Sequence, residues 1–128
     1  MDVLLDRGPH EETSAAAWAF VETGAVEGLL AAHGVTTIHY LVRKEMRAAK
    51  AAQMVSAILR VFDVAAVDSA VIREALGLPC ADFEDAVTAA AARLARCDYI
   101  VTRDPTGFRG SLIRSLTPQM VLPLLSAD

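Results

Sequence analysis

Short apolar segments alternate with helical segments along this sequence, and this alternation restricts the possible folds more than any other feature. The strand-like segments are residues 26–31, 62–67 and 98–102, with a last short one at 112–113. Segments with helical spacing or helix-capping residues lie between them, at 35–45, 48–61, 68–77 and 82–96. Such alternation is typical of a mainly parallel sheet with helices on both faces, so we predict an α/β fold.

The bulk composition narrows the class of protein. The 128 residues fit one domain, 1–128, and a hydrophobic fraction of 54% supports a packed core. No apolar run reaches the length of a membrane helix, and no signal peptide is recognisable. Cys80 and Cys97 are expected to be core residues of a cytoplasmic protein. The net charge of -4 argues against a dedicated sequence-reading DNA-binding protein.

Three aspartates form the best candidate chemical site. Asp82 is placed to cap a helix, Asp85 lies in its first turn, and Asp104 follows the 98–102 strand. Because ligands bind beyond the carboxyl ends of parallel strands, Asp85 and Asp104 can approach each other there. Carboxylates suit Mg²⁺ or Mn²⁺, which can orient a water for phosphodiester hydrolysis. The alternative is purely structural, with the acids serving as cap, helix-dipole and turn residues.

Five arginines are concentrated in the C-terminal part of the chain: Arg93, Arg96, Arg103, Arg109 and Arg114. This concentration has two interpretations. The arginines form either a solvated face or a rim that contacts phosphate groups.

Several segments, taken in order, resemble the PIN-domain family. They are residues 82–86 (Asp-Phe-Glu-Asp-Ala), 97–104 (Cys-Asp-Tyr-Ile-Val-Thr-Arg-Asp), 7–11 (Arg-Gly-Pro-His-Glu), 36–44 and 116–118. The resemblance covers nearly the whole chain and implies a three-layer α/β/α PIN-like fold. It further implies a ribonuclease that uses Mg²⁺ or Mn²⁺, often the toxin of a bacterial toxin–antitoxin pair.

The resemblance also assigns residues and partners. Asp85 matches the family acid at the helix start, Asp104 matches the acid after the Thr-Arg pair, and Asp82 is a neighbouring acid. Arg103 and Arg109 are candidates for contacts with RNA phosphates. The expected partners are RNA, an antitoxin protein and a second copy of the chain in a homodimer.

The N-terminal segment departs from the family pattern, which opens with an apolar strand ending in an aspartate. Matching residues 7–10 to the family places Met1 after that strand, makes Asp2 a helix residue and leaves the first acid missing. In the rival alignment residues 1–5 form the strand and Asp6 supplies the acid. The missing strand would be central in the sheet, and residues 1–5 are the available segment to fill it.

A second departure is Thr37, which stands where the family has an acid in the helix after the second strand. Fewer carboxylates weaken the attraction for a divalent ion, while the cost of dehydrating Mg²⁺ is unchanged. Two functions therefore remain open. One is a metal-dependent ribonuclease with an incomplete acidic site, and the other is a non-catalytic PIN scaffold that binds RNA or a protein partner.

Overall fold

The computed structural model of the chain describes residues 2–5, 19, 21–24 and 26–125. Its strands are β1 (Asp2–Leu5), β2 (Glu27–Leu30), β3 (Asp63–Val64), β4 (Tyr99–Val101) and β5 (Arg114–Leu116). Its helices are α1 (Ala32–Glu45), α2 (Ala48–Leu59), α3 (Ser69–Leu76), α4 (Phe83–Leu94) and α5 (Pro118–Leu125). A 3-10 helix, Pro105–Phe108, follows β4. Within these ranges no helix has the length and apolar character that crossing a membrane requires.

The five strands form one parallel sheet in the order β3-β2-β1-β4-β5. β1 is the central strand, since Leu4 is in register with Leu29 of β2 and with Ile100 of β4. Because the strands run in one direction, their last residues share one edge, which we call the carboxyl edge. Their first residues share the opposite edge, which we call the amino edge.

Helices cover both faces of the sheet, which confirms the three-layer α/β/α prediction. On one face Leu4 and Ile100 pack against α3 and against the buried alanines of α4: Ala86, Ala89, Ala90, Ala91 and Ala92. On the other face Val3 and Leu5 pack with Ile38 of α1 and Ile58 of α2. Alternate residues of β1 therefore point into two separate cores, as the period of a strand requires.

The alanines of α4 let this helix lie close to the sheet. A cap at Asp82 starts the helix, and alanine is the best helix former along its length. The helix ends at Leu94, slightly before the expected end near Arg96, whose φ of 61° turns the chain toward β4. Because α4 precedes β4 and packs against it, the helix starts at the carboxyl edge.

The structure corrects three expectations about the strands. Residues 2–5 are a strand in the central slot, so the interpretation of Asp2 as a helix residue and of the first strand as missing is wrong for this fold. β3 spans only two residues of the six predicted between 62 and 67. The last strand lies at 114–116 and not at 112–113, where Leu112 is largely exposed.

Candidate functional site at the carboxyl edge

Asp85 is held in the first turn of α4 by the cap of that helix. The Oδ1 atom of Asp82 accepts hydrogen bonds from the backbone N–H groups of Glu84, at 2.7 Å, and Asp85, at 3.2 Å. Asp85 itself is half-buried, whereas Asp82 is exposed. The cap therefore places the Asp85 carboxylate at the carboxyl edge, where it shares the N-terminal end of the helix dipole with Asp82 and Glu84.

Asp104 lies at the same edge, three residues after β4 ends at Val101. Its backbone N–H donates to Oγ1 of Thr102 at 3.2 Å, and its Oδ1 atom accepts a hydrogen bond from Oγ1 of Thr106 at 2.5 Å. Its carbonyl accepts a hydrogen bond from the N–H of Gly107 at 3.1 Å. These contacts orient the carboxylate and leave its Oδ2 atom on the side of Gly107.

Gly107 shows that the two carboxylates are close together. A β-carbon placed on this glycine would lie 2.8 Å from Oδ2 of Asp85 and 3.8 Å from Oδ2 of Asp104. The two oxygen atoms thus border one small space that a side chain would otherwise fill. Oxygen ligands of this kind, completed by waters and phosphate oxygens, suit Mg²⁺ and Mn²⁺, so the residues present fit a divalent cation.

The described residues supply no third acid to this pair. Among residues 2–5, 19, 21–24 and 26–125, no group of three or more His, Cys, Asp or Glu side chains is arranged to hold a metal ion. Asp82 uses Oδ1 as a helix cap, and Thr37 uses its hydroxyl to donate to the His33 carbonyl at 2.8 Å. Asp6, the remaining candidate ligand, lies outside the described residues and directly follows β1 in the sequence.

His33 is a residue at this edge that the sequence did not single out. Its Nε2 atom lies 3.3 Å from Oε1 of Glu84 and 3.3 Å from Oγ1 of Thr88, which is almost completely buried. His33 therefore connects the first turn of α1 to the first two turns of α4 at the carboxyl edge of the sheet. The helix was predicted to begin at Val35, and the structure begins it at Ala32, which brings His33 into the helix.

The arginines do not form one rim. Arg103 and Arg109 are exposed on the segment that leaves the carboxyl edge after β4. Arg93 lies near the end of α4 and makes a bidentate ion pair with Glu74 of α3, and Arg114 is the first residue of β5. The single-rim interpretation is therefore wrong, because Arg93 and Arg114 lie toward the amino edge.

The pKa values of both cysteine thiols are raised by their surroundings. Burial raises the pKa of the Cys80 thiol, and the negative charge of Asp85 raises it further. Burial, followed by the charges of Asp2 and Asp98, raises the pKa of Cys97 to about 11. The effect of Asp85 on Cys80 indicates that the negative charge of this carboxylate acts on the segment before α4. Both thiols are free, and Cys97 is buried as expected of a core residue, whereas Cys80 is only partly buried.

A family model described as PIN domain matches residues 1–106 of the chain. No curated protein matches the sequence.

Solved structures of low sequence identity share the fold. VapBC2 from Rickettsia felis, bound to a DNA fragment from its promoter, has a TM-score of 0.70 at 10% identity, covering 91% of this chain and 98% of that one. VapBC-1 from nontypeable Haemophilus influenzae has a TM-score of 0.69 at 8% identity, covering 93% and 99%. PAE2754 from Pyrobaculum aerophilum has a TM-score of 0.67 at 20% identity, covering 100% and 97%.

Proposed function

Because the chain belongs to the PIN-domain family, we propose that it is a toxin-type nuclease that cleaves RNA with the help of Mg²⁺ or Mn²⁺. The observation that carries this proposal is the pair of carboxylates at the carboxyl edge. The Oδ2 atoms of Asp85 and Asp104 border one space beside Gly107. In a parallel sheet this edge is where ligands bind.

Asp85 and Asp104 hold the cation in this proposal. When bound, the ion supplies an activated water and stabilises charge on the phosphoryl oxygens. Asp82 assists from the cap position, and Asp6 is the further ligand expected after the central strand. Exposed Arg103 and Arg109 neutralise RNA phosphates on the same edge, whereas Arg93 lies toward the amino edge and does not contribute.

The test is RNA cleavage in the presence of Mn²⁺ by the wild-type chain and by Asp85→Asn. We expect the variant to lose activity by at least roughly 10- to 100-fold, since that is the usual cost of altering even the groups that only orient metal ligands. Asp63→Asn is the matched control, because it makes the same change at an exposed residue of β3, which β2 and β1 separate from β4 in the sheet. Equal cleavage by all three folded proteins would reject the assignment of the site.

A specific surface supports a second candidate function, the binding of a protein partner. An apolar groove of about 240 Å³ lies between α1 and α2, lined by Ile38, Leu41, Val42, Glu45, Met46 and Met54. Exposed basic residues lie near the groove in the sequence: Arg43 and Lys44 in the last turn of α1, Arg47 just before α2, and Lys50 one turn before Met54 on α2. These basic residues in a chain of net charge -4 favour an acidic amphipathic segment of an antitoxin as the occupant.

Co-purification with a co-expressed candidate antitoxin tests this second function. Leu41→Glu should prevent the interaction, because it places a charge in the groove. Leu76→Glu is the control, since Leu76 is 72% exposed on α3, on the other face of the sheet. If the partner binds but wild-type RNA cleavage is absent, the protein is the non-catalytic scaffold. Retention of the partner by Leu41→Glu would reject the groove.

Two further proposals follow from the resemblance. The protein is proposed to act in the cytoplasm and to form a homodimer. Light scattering coupled to size-exclusion chromatography measures the mass in solution, and a mass near the 13.6 kDa of one chain would reject the dimer.

A further inference from the structure

The absent side chain of Gly107 is a structural feature of the site in its own right. A β-carbon at this position would approach Oδ2 of Asp85 to 2.8 Å, which is closer than real side chains allow. The same β-carbon would lie in ordinary contact distance, 3.8 Å, from Oδ2 of Asp104. The space between the two carboxylates therefore exists because residue 107 has no side chain.

The surrounding structure holds Gly107 in this place. Pro105 starts the 3-10 helix, and Phe108 ends it with a buried ring packed in the same core as Ala86 and Ala89 of α4. The N–H of Gly107 also donates to the carbonyl of Asp104. Because Phe108 fixes the turn against the helix that carries Asp85, residue 107 cannot move away from that carboxylate without disturbing the core.

Backbone conformation does not explain the glycine. Gly24 and Gly110 have φ values of 82° and 91°, a region that side chains disfavour, but Gly107 is not in that region. Its backbone is compatible with alanine, and alanine at such a position restricts the unfolded chain and tends to stabilise a protein. The close contact with the Asp85 carboxylate is therefore the structural reason for a glycine at this position.

We infer that Gly107 is a positioning residue of the metal site, which reserves the space that Asp85 and Asp104 use to share one divalent cation. This inference rests on the proposed function. It adds that the metal site needs a residue without a side chain at position 107, besides its acidic residues. A side chain at 107 acts through Asp85, because only that carboxylate is crowded. The carboxylate is the mobile end of its side chain, so Gly107→Ala displaces it without unfolding the protein.

Titration of Mn²⁺ into the ¹⁵N-labelled chain tests the inference, with paramagnetic broadening of backbone amide signals as the readout. In the wild-type protein we expect the amides of residues 84–86 and 104–107 to broaden together at low Mn²⁺. Gly107→Ala should require about tenfold more Mn²⁺ for the same broadening, the lower end of the usual effect of groups that orient ligands. Its melting temperature without metal should be unchanged or higher.

Gly77→Ala is the matched control, because a β-carbon there meets only the Glu74 carbonyl at an ordinary 3.6 Å. It should titrate like the wild-type protein. Equal Mn²⁺ dependence of Gly107→Ala and wild type would overturn the role of Gly107 while leaving the metal site intact. An absence of broadening at both segments in the wild-type protein would instead reject the proposed metal site, and the inference with it.

Discussion

The Oδ1 atom of Asp82 accepts a hydrogen bond from the backbone N–H of Asp85, so one candidate ligand fixes the helix turn that carries the other. Asp82→Ala should lower the free energy of unfolding by about 1 kcal/mol, since it removes a helix cap. Asp82→Asn keeps a good capping side chain and should leave stability unchanged. Denaturant unfolding of the two variants measures both effects.

Comparison of Asp82→Asn with Asp85→Asn separates capping from metal binding. Asp82→Asn removes the charge but keeps the cap, so its loss of Mn²⁺ affinity should be smaller than that of Asp85→Asn. If the two asparagine variants lose affinity equally, Asp82 is a full ligand and not an assisting residue.

Restoring an acid on α1 should tighten Mn²⁺ binding. Thr37→Asp adds a negative charge where the resemblance to the family predicts one, and we expect about a tenfold gain in affinity from the added attraction. Thr36→Asp is the matched control, because Thr36 is also exposed and its hydroxyl also donates to the His33 carbonyl. Calorimetric titration measures both variants. An unchanged affinity for Thr37→Asp, or an equal gain in both, would contradict the assigned position.

The reactivity of the Cys80 thiol should depend on the charge of Asp85. Burial and, second, the Asp85 carboxylate raise the pKa of the Cys80 thiol. Asp85→Asn removes the second cause, so the pKa should fall, the thiolate fraction at pH 8 should rise, and iodoacetamide should react faster. Mass spectrometry follows Cys80 and Cys97 separately, with Asp63→Asn as the control. Identical rates at Cys80 in wild type and Asp85→Asn would contradict the coupling.

Cys97 should make the protein less stable in alkaline solution. Its pKa is raised from 9.0 to about 11, mainly by burial, so the folded protein keeps a proton that the unfolded chain releases. The unfolded state therefore binds fewer protons between pH 9 and 11, and the free energy of unfolding falls across that window by about 2 kcal/mol. Denaturant unfolding of wild type and Cys97→Ala measures it. Parallel pH profiles of the two proteins would contradict the prediction.

Much of the fold was predictable because local signals agree with the tertiary structure. Asp82 was expected to cap a helix, and its side chain accepts the hydrogen bonds of a cap. The first segment was harder, because residues 2–5 are too few to show a period. Only the pairing of β1 with β2 and β4 decides that this segment is a strand, and pairing of distant segments is not a local property.

The candidate site was predictable to the extent that topology dictates it. Asp85 and Asp104 were expected to approach each other because a helix start and a strand end share the carboxyl edge. Gly107 was not identified from the sequence, because glycine has no side chain that could suggest a chemical role. Its role depends on the distances between position 107 and the two carboxylates, which only the structure provides. The pairing of Arg93 with Glu74 was missed as well, because it joins two helices across 19 residues.

The central place of β1 has a consequence for how the chain folds during synthesis. The N–H of Asp2 bonds to the side chain of Asp98, 96 residues further along the chain, and β1 pairs with β4 on one side. One edge of β1 therefore has no hydrogen-bonding partner until β4 has left the ribosome. Proteins with such non-local strand pairing fold slowly. A nascent chain interrupted before residue 99 exposes an unpaired apolar edge and lacks Asp104. Incomplete chains are thus prone to aggregation and lack one of the two paired carboxylates.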